Sequence, residues 1–185
     1  AMNDKDLGGN EIIDIIYCAD YISKKLDVPA ERIGVFGMSH GGYATMRLVT
    51  FPGEVNGNRA SFKFGFGIET AGFCDIIYQH MHSNIPDWTA LEAGDPVKDA
   101  ARLIDRSPLY HAEKLTGPLL LLHGNHDNRV DIEGSRLLDR KLTHLNLPHR
   151  YVEFEGLGHG IKGVDNNRKF YYECFRFLDE IESGK

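Results

Sequence analysis

The chain has no block of basic residues, no apolar run approaching a membrane span and only three cysteines, and each shortage argues against a class of function. With a formal net charge of −6 and its 21 Lys and Arg scattered, it offers no footprint for a phosphate backbone, so no nucleic-acid partner is expected. The short apolar runs argue against a membrane span, and no secretory signal precedes the first amphipathic stretch. Cys18, Cys74 and Cys174 are odd in number, far apart and set among apolar residues. They read as buried free thiols in a reducing, cytoplasmic compartment rather than as a disulfide framework. No cysteine pair has metal-site spacing, and His80, His82, His123 and His126 form no convincing ligand group, so these histidines read as surface or loop residues. No metal or organic cofactor is expected. Internal repeats and low-complexity segments are absent as well. Ala1-Met2 reads as a cloning remnant and is set aside.

What is present suits one globular domain over residues 1–185, with 42% hydrophobic and 26% charged residues. Ile12, Ile13, Ile16, Ala19, Ile22 and Leu26 recur at helical spacing behind Asn10, a plausible N-cap, and Asp27-Val28-Pro29 stops that helix. Ile33–Phe36 is a short buried strand, and a helix follows as far as Phe51-Pro52-Gly53. Asn56-Gly57-Asn58 is a surface turn. Phe62, Phe64, Phe66 and Ile68 alternate with small or charged residues, as in a strand with one large-residue face. Residues 72–115 are irregular, with helical pieces at Asp75–His82 and Asp99–Ile104 and loop signals at Ile85-Pro86-Asp87, Gly94-Asp95-Pro96 and Ser107-Pro108. Leu119–Leu122 is a fully apolar strand, Ile132–Leu145 a helix capped by Asp131, Tyr151–Phe154 the last strand and Asn166–Ile181 the closing helix. Strands and helices alternate four times without a hairpin signal, which predicts an α/β fold: a parallel sheet with helices on both faces.

Within Ile33–Tyr43 lies Gly37-Met38-Ser39-His40-Gly41, a G-x-S-x-G between a strand and a helix. The tight turn pushes the serine hydroxyl out above a helix N-terminus, where developing negative charge is favoured. Ser39 is the candidate nucleophile, and the backbone N–H of His40 a candidate oxyanion donor. A serine hydroxyl needs a base, and the base needs an orienting group. Two further strand ends supply them: His123-Gly124-Asn125-His126-Asp127, and Gly156-Leu157-Gly158-His159-Gly160. The order Ser39, Asp127, His159 is that of α/β-hydrolases. Asp127 is read as the acid, by its HG-x-x-D-x-x-V register, with Asp131 as its rival. His159, between glycines, is read as the base. Glu69, Glu92 and Asp95 read as solvated charges or loop caps.

GMSHGGYAT, SPLYHAEKLTGPLLLLHGNHDNRV and EGLGHG together resemble the C-terminal part of the prolyl oligopeptidase family of serine peptidases. The resemblance covers nearly the whole chain and implies an α/β-hydrolase fold that cleaves peptide bonds of short peptides, with Ser39, Asp127 and His159 at the matching positions. It implies a hydrophobic specificity pocket near Phe73 and Tyr78, and sets Arg129 toward a substrate carbonyl. Tyr43, Phe73 and Tyr78 are read either as pocket lining or as ordinary packing. An esterase or other acyl hydrolase, and a catalytically inert assembly module, are the rival readings. The resemblance also implies more than is here: a sheet of eight strands against four, an N-terminal propeller, and a second oxyanion donor from a loop upstream of residue 1. The chain is thus expected to be a piece of a longer parent or a natural half-domain. An open edge at Ile33–Phe36 is expected to recruit a second copy, joining two half-sheets.

Overall fold

Six consecutive buried residues, Leu119–Gly124, form the strand on which the two hydrophobic layers meet. A run with no polar alternation suits a parallel strand covered on both faces. Leu119 and Leu121 pack with Ile12, Ile16, Met46, Leu48, Leu138 and Leu142 on one face. Leu120 and Leu122 pack with Ile68, Phe154, Cys174 and Phe177 on the other. The computed structural model describes residues 4–184; Ala1-Met2 lies outside them.

In chain order the elements are α1 (Asn10–Leu26), β1 (Gly34–Met38), α2 (His40–Val49), β2 (Glu54–Val55), β3 (Asn58–Arg59), β4 (Phe66–Thr70), α3 (Ile76–His82), α4 (Pro86–Ala93), α5 (Ala100–Arg106), β5 (Leu119–Gly124), α6 (Ile132–His144), β6 (His149–Phe154) and α7 (Val164–Ser183). The main sheet runs β1-β4-β5-β6, with every neighbouring pair parallel. Helices α1, α2 and α6 contribute to one apolar cluster and α7 to the other, so the sheet is covered on both faces as expected. This is the C-terminal half of an α/β-hydrolase sheet. β1 pairs only with β4 among the described strands, and Phe36 and Met38 on it are exposed.

Several local expectations need correction. The strand begun at Phe62 starts at Phe66, opposite Gly34 of β1. Gly65 N–H still reaches Ile33 O at 2.9 Å, but ahead of Ile33 the chain is a helical turn, Ala30–Arg32, that offers Phe62 and Phe64 no strand to pair with. Phe62 and Phe64 instead pack edge to face, with ring centres 5.1 Å apart. A hairpin does exist: Asn56 and Gly57, at φ 50° and 75°, close β2 onto β3, and only side chains or glycine tolerant of the left-handed region suit such a turn. Ile85-Pro86-Asp87 opens a helix rather than a loop, since Pro86 occupies a first-turn position whose N–H has no helical partner anyway. Asn10 is the first helical residue, not the cap; its N–H donates to Asp6 at 3.2 Å. Cys18 lies on the outward face of α1 and is exposed, whereas Cys74 and Cys174 are buried.

What positions the site is a backbone crossing. A Cβ on Gly37 would stand 2.2 Å from the carbonyl oxygen of Gly41, and one on Gly72 2.6 Å from the carbonyl carbon of Gly42. Both contacts are backbone to backbone, so no side-chain rotation can relieve them. Gly72→Ala is therefore expected to destabilise the fold by about 3 kcal/mol, read as a lowered urea midpoint at unchanged m-value.

Candidate active site

Ser39 sits between the last residue of β1 and the first of α2, at φ 58° and ψ −118°. A serine at positive φ is strained, and the surrounding contacts hold it there. Its N–H donates to Thr70 O at 2.8 Å, and its own carbonyl accepts from Tyr43 N–H at 2.9 Å, closing the first turn of α2.

The other two residues sit on loops after β5 and β6, and these loops are joined. Asn125 N–H donates to Phe154 O (3.1 Å) and His126 N–H to Leu157 O (2.8 Å). The Asn125 amide donates to Glu155 at 2.7 Å and accepts from Gly156 N–H at 2.8 Å. Gly124 permits the contact, as a Cβ there would lie 2.4 Å from Leu157 O. So held, His159 places Nδ1 2.8 Å from Asp127 Oδ2 and Nε2 2.8 Å from Ser39 Oγ. Asp127 has no exposed side-chain surface, and its Oδ1 accepts from Arg129 N–H (2.9 Å) and Val130 N–H (3.0 Å). Burial pushes its pKa up. Hydrogen bonds from His123, His159 and the two backbone groups outweigh that and hold it far below the ordinary carboxylate range. Asp131, its rival, instead caps α6 by accepting from Glu133 N–H at 2.8 Å.

Beside Ser39 opens a cleft of about 320 Å³ lined by His40, Phe73, Gln79, Ile85, Trp88, Arg129 and Val130. Phe73 and Arg129, both singled out in the sequence, line this cleft. Tyr43 does not: it is fully buried, stacks on Phe73 with centroids 4.7 Å apart, and donates its hydroxyl to Arg106 O at 3.0 Å. Tyr43 supports the cleft from behind and cannot touch a substrate. Tyr78 is likewise outside the lining, stacked on His82 at 3.8 Å. Gln79, Ile85 and Trp88 escaped the sequence reading because they fall in its irregular segment. Ile85 and Trp88, on either side of Pro86-Asp87 at a helix start, were the available signal. Gln79 Nε2 and Ser83 Oγ both donate to Arg129 O (2.9 and 2.7 Å), anchoring that residue's backbone at the cleft.

Two expectations about charge are reversed. Glu69 is not solvated but fully buried under the start of α2, with Oε2 accepting from Gly72 N–H at 2.8 Å. Burial pushes its pKa up to about 8, against backbone hydrogen bonds that lower it. His123 is not on the surface but wholly buried behind Asp127. Among the described residues no three His, Cys, Asp or Glu side chains could hold a metal ion, and no helix is long and apolar enough to cross a membrane.

Comparison with known proteins places the chain in a family. The prolyl oligopeptidase family matches residues 1–184. The chain is 28% identical over 181 residues to dipeptidyl aminopeptidase BIII of Pseudoxanthomonas mexicana, covering 93% of this chain and 25% of that protein. Among solved structures it resembles Porphyromonas gingivalis dipeptidyl peptidase 4 (27% identity, TM-score 0.82), covering 97% of this chain and 24% of that one. It likewise resembles uncomplexed Pyrococcus horikoshii acylaminoacyl peptidase (26% identity, TM-score 0.82), covering 97% and 29%. The chain spans about a quarter of the length of these relatives.

The buried Glu69 makes stability depend on pH. A folded-state pKa above the unfolded value means its contribution is complete below about 4.5, declines as pH rises and is lost above about 8. Glu69→Gln is expected to flatten that decline, by up to about 1.4 kcal/mol per pH unit, in urea unfolding of the two proteins across pH 5–8.

Proposed function

The chain belongs to the prolyl oligopeptidase family, and on that footing we propose that residues 1–185 form a single catalytic unit that hydrolyses peptide bonds of short peptides through Ser39, His159 and Asp127. The observation that carries this reading is the unbroken run of hydrogen bonds from Ser39 Oγ through His159 to Asp127, 2.8 Å at each step. The names of the relatives, dipeptidyl and acylaminoacyl peptidases, favour a peptide substrate.

In this mechanism His159 Nε2 takes the Ser39 proton as Oγ attacks the substrate carbonyl carbon, and the carbonyl π electrons move onto oxygen. Nδ1 keeps its hydrogen, held by the ionised Asp127, which offsets the positive charge that the ring acquires. The oxyanion lies against His40 N–H at the start of α2, a donor of the kind whose loss lowers turnover about 10²–10³-fold. Collapse breaks the C–N bond as His159 passes its proton to the departing amine. Water then attacks the acyl-serine, gives its proton to His159, and releases the carboxylic acid as Ser39 recovers its hydrogen. The cleft walls of Phe73, Ile85, Trp88 and Val130 suit an apolar side chain next to the scissile bond. Arg129, exposed at the cleft, is suited to a substrate carbonyl.

The remaining parts of the reading are a cytoplasmic setting, supported by the unpaired Cys74 and Cys174, no organic or metal cofactor, and no nucleic-acid or membrane partner. The open β1 edge with exposed Phe36 and Met38 supports self-association.

A fluorophosphonate probe is expected to label the folded protein at Ser39 and to leave Ser39→Ala unlabelled; a folded wild type that resists labelling defeats the nucleophile. Turnover of short peptides, compared with p-nitrophenyl esters, decides between peptidase and esterase, and ester-only turnover removes the peptidase reading. Light scattering at high concentration is expected to give a mass above 20.8 kDa; a clean monomer removes the self-association.

A further inference from the structure

Asp127 faces two imidazoles, and the proposed reaction uses one. Its Oδ2 lies 2.8 Å from His159 Nδ1 and 3.2 Å from Nε2 of His123, whose side chain has no exposed surface. His123 Nε2 also lies 3.0 Å from Val130 O, and its Nδ1 lies 2.7 Å from Oγ of the buried Ser135. A carbonyl can only accept, so His123 Nε2 carries the hydrogen and shares it between Val130 O and Asp127 Oδ2. In the neutral ring Nδ1 is then an acceptor, and the Ser135 hydroxyl donates to it. The opposite tautomer would aim a nitrogen lone pair at two oxygen acceptors. Ser–His–Asp thus occurs twice around one carboxylate: Ser39–His159 on the cleft side and Ser135–His123 on the interior side. The interior arm has no route to a substrate.

From this arrangement we infer that His123 and Ser135 are positioning residues, which aim Asp127 at His159 and draw off part of the carboxylate charge. The inference rests on the proposed roles of Ser39, His159 and Asp127. Oδ1 is already anchored by two backbone N–H groups. On Oδ2 the His123 hydrogen competes with that of His159, so the catalytic imidazole feels a weaker pull than a singly paired carboxylate would exert. Ser135 acts one bond further back, by holding the His123 tautomer.

The charged surroundings are otherwise balanced. Glu153 stands opposite His123 in the β5–β6 register, where Arg136 of α6 donates to it at 2.7 and 2.8 Å and the Tyr151 hydroxyl at 2.8 Å. Arg136 also holds Glu133 of α6. On β4 the buried Glu69 stays neutral below about pH 8. Before α3, the Cys74 thiol donates to Gly134 O beside Ser135, at 3.2 Å. From the cleft side Arg129 is the charged neighbour.

The test compares wild type with His123→Leu, His123→Gln and Ser135→Ala. A glutamine amide can restore the donor that leucine removes. Two readouts are taken: the pH profile of fluorophosphonate labelling at Ser39, and the low-field proton resonance of His159 Nδ1–H, assigned by its loss in His159→Gln. In His123→Leu the acid limb of the profile is expected to move to higher pH by about half a unit or more, and the resonance to lower field, as the undivided carboxylate charge falls on His159. Plateau labelling is expected to fall roughly tenfold as aim is lost. His123→Gln is expected to reverse most of each change, and Ser135→Ala to shift both in the His123→Leu sense by less. An unmoved limb and resonance in folded His123→Leu overturns the inference, as does a shift that glutamine fails to reverse, because that would be a packing effect. If His123→Leu does not fold, Ser135→Ala decides on the same criteria. If wild type resists labelling, the proposed function fails separately, and the resonance alone decides whether His123 divides the Asp127 charge.

Discussion

The closeness of α2 to the strand ends is the constraint on which the rest depends. Gly37 meets Gly41, and Gly72 meets Gly42, at separations where no Cβ fits. The chain can therefore turn from β1 into α2 across a single residue, and that residue, Ser39, takes a positive φ that serine ordinarily avoids. Strain of this kind typically costs about 1–3 kcal/mol. Here it is offset by the Thr70 carbonyl in front, by Tyr43 behind, and by the packing of Tyr43 itself against Phe73 and Arg106. Tyr43 thus bears on the site while remaining wholly inside the protein.

Two carboxylates buried near this turn are treated in opposite ways, and the difference lies in donor count. Glu69 receives Gly72 N–H at Oε2, too little to offset desolvation, and it is neutral near pH 7. Asp127, a few residues beyond the neighbouring strand, receives two backbone N–H groups and two imidazoles, and it is ionised. A neutral carboxyl beneath α2 adds no second negative charge beside the position proposed for an oxyanion. The ionised one is kept where a cationic imidazole is proposed to form.

Much of this was readable in the residues, and the reasons for the rest are specific. Leu119–Leu122 announced a strand covered on both faces because a parallel central strand needs no polar alternation. The three loop residues Ser39, Asp127 and His159 were legible as candidates because a strand end followed by glycine marks each of them. Phe62 and Phe64 misled because alternation records which faces are apolar, not whether a partner strand extends far enough to pair. Glu69 and His123 were assigned to solvent by residue type, and only the layers stacked on either side of the sheet reveal that water is excluded there. Trp88 and Ile85 were hidden at the start of one short helix, α4, whose placement depends on tertiary contacts rather than on periodicity. The Asn56-Gly57 hairpin, by contrast, carried a local signal that was read too weakly.

The stitching of the loops after β5 and β6 has a mechanical consequence. Asn125 ties together the backbone segments that carry Asp127 and His159 at two points, Glu155 and Gly156, while Ser39 is anchored elsewhere, through Thr70 and α2. The site thus has two separately anchored parts that meet at the Ser39–His159 hydrogen bond above the β4–β5 ladder. A displacement of Ser39 relative to the two loops would lengthen the Ser39–His159 bond and leave the Asp127–His159 bond intact. In hydrogen-exchange terms, the amides of Asn125, His126 and Gly156 are expected to open together, because they bridge the same two loops, and that of Ser39, bonded to Thr70 O, to open separately.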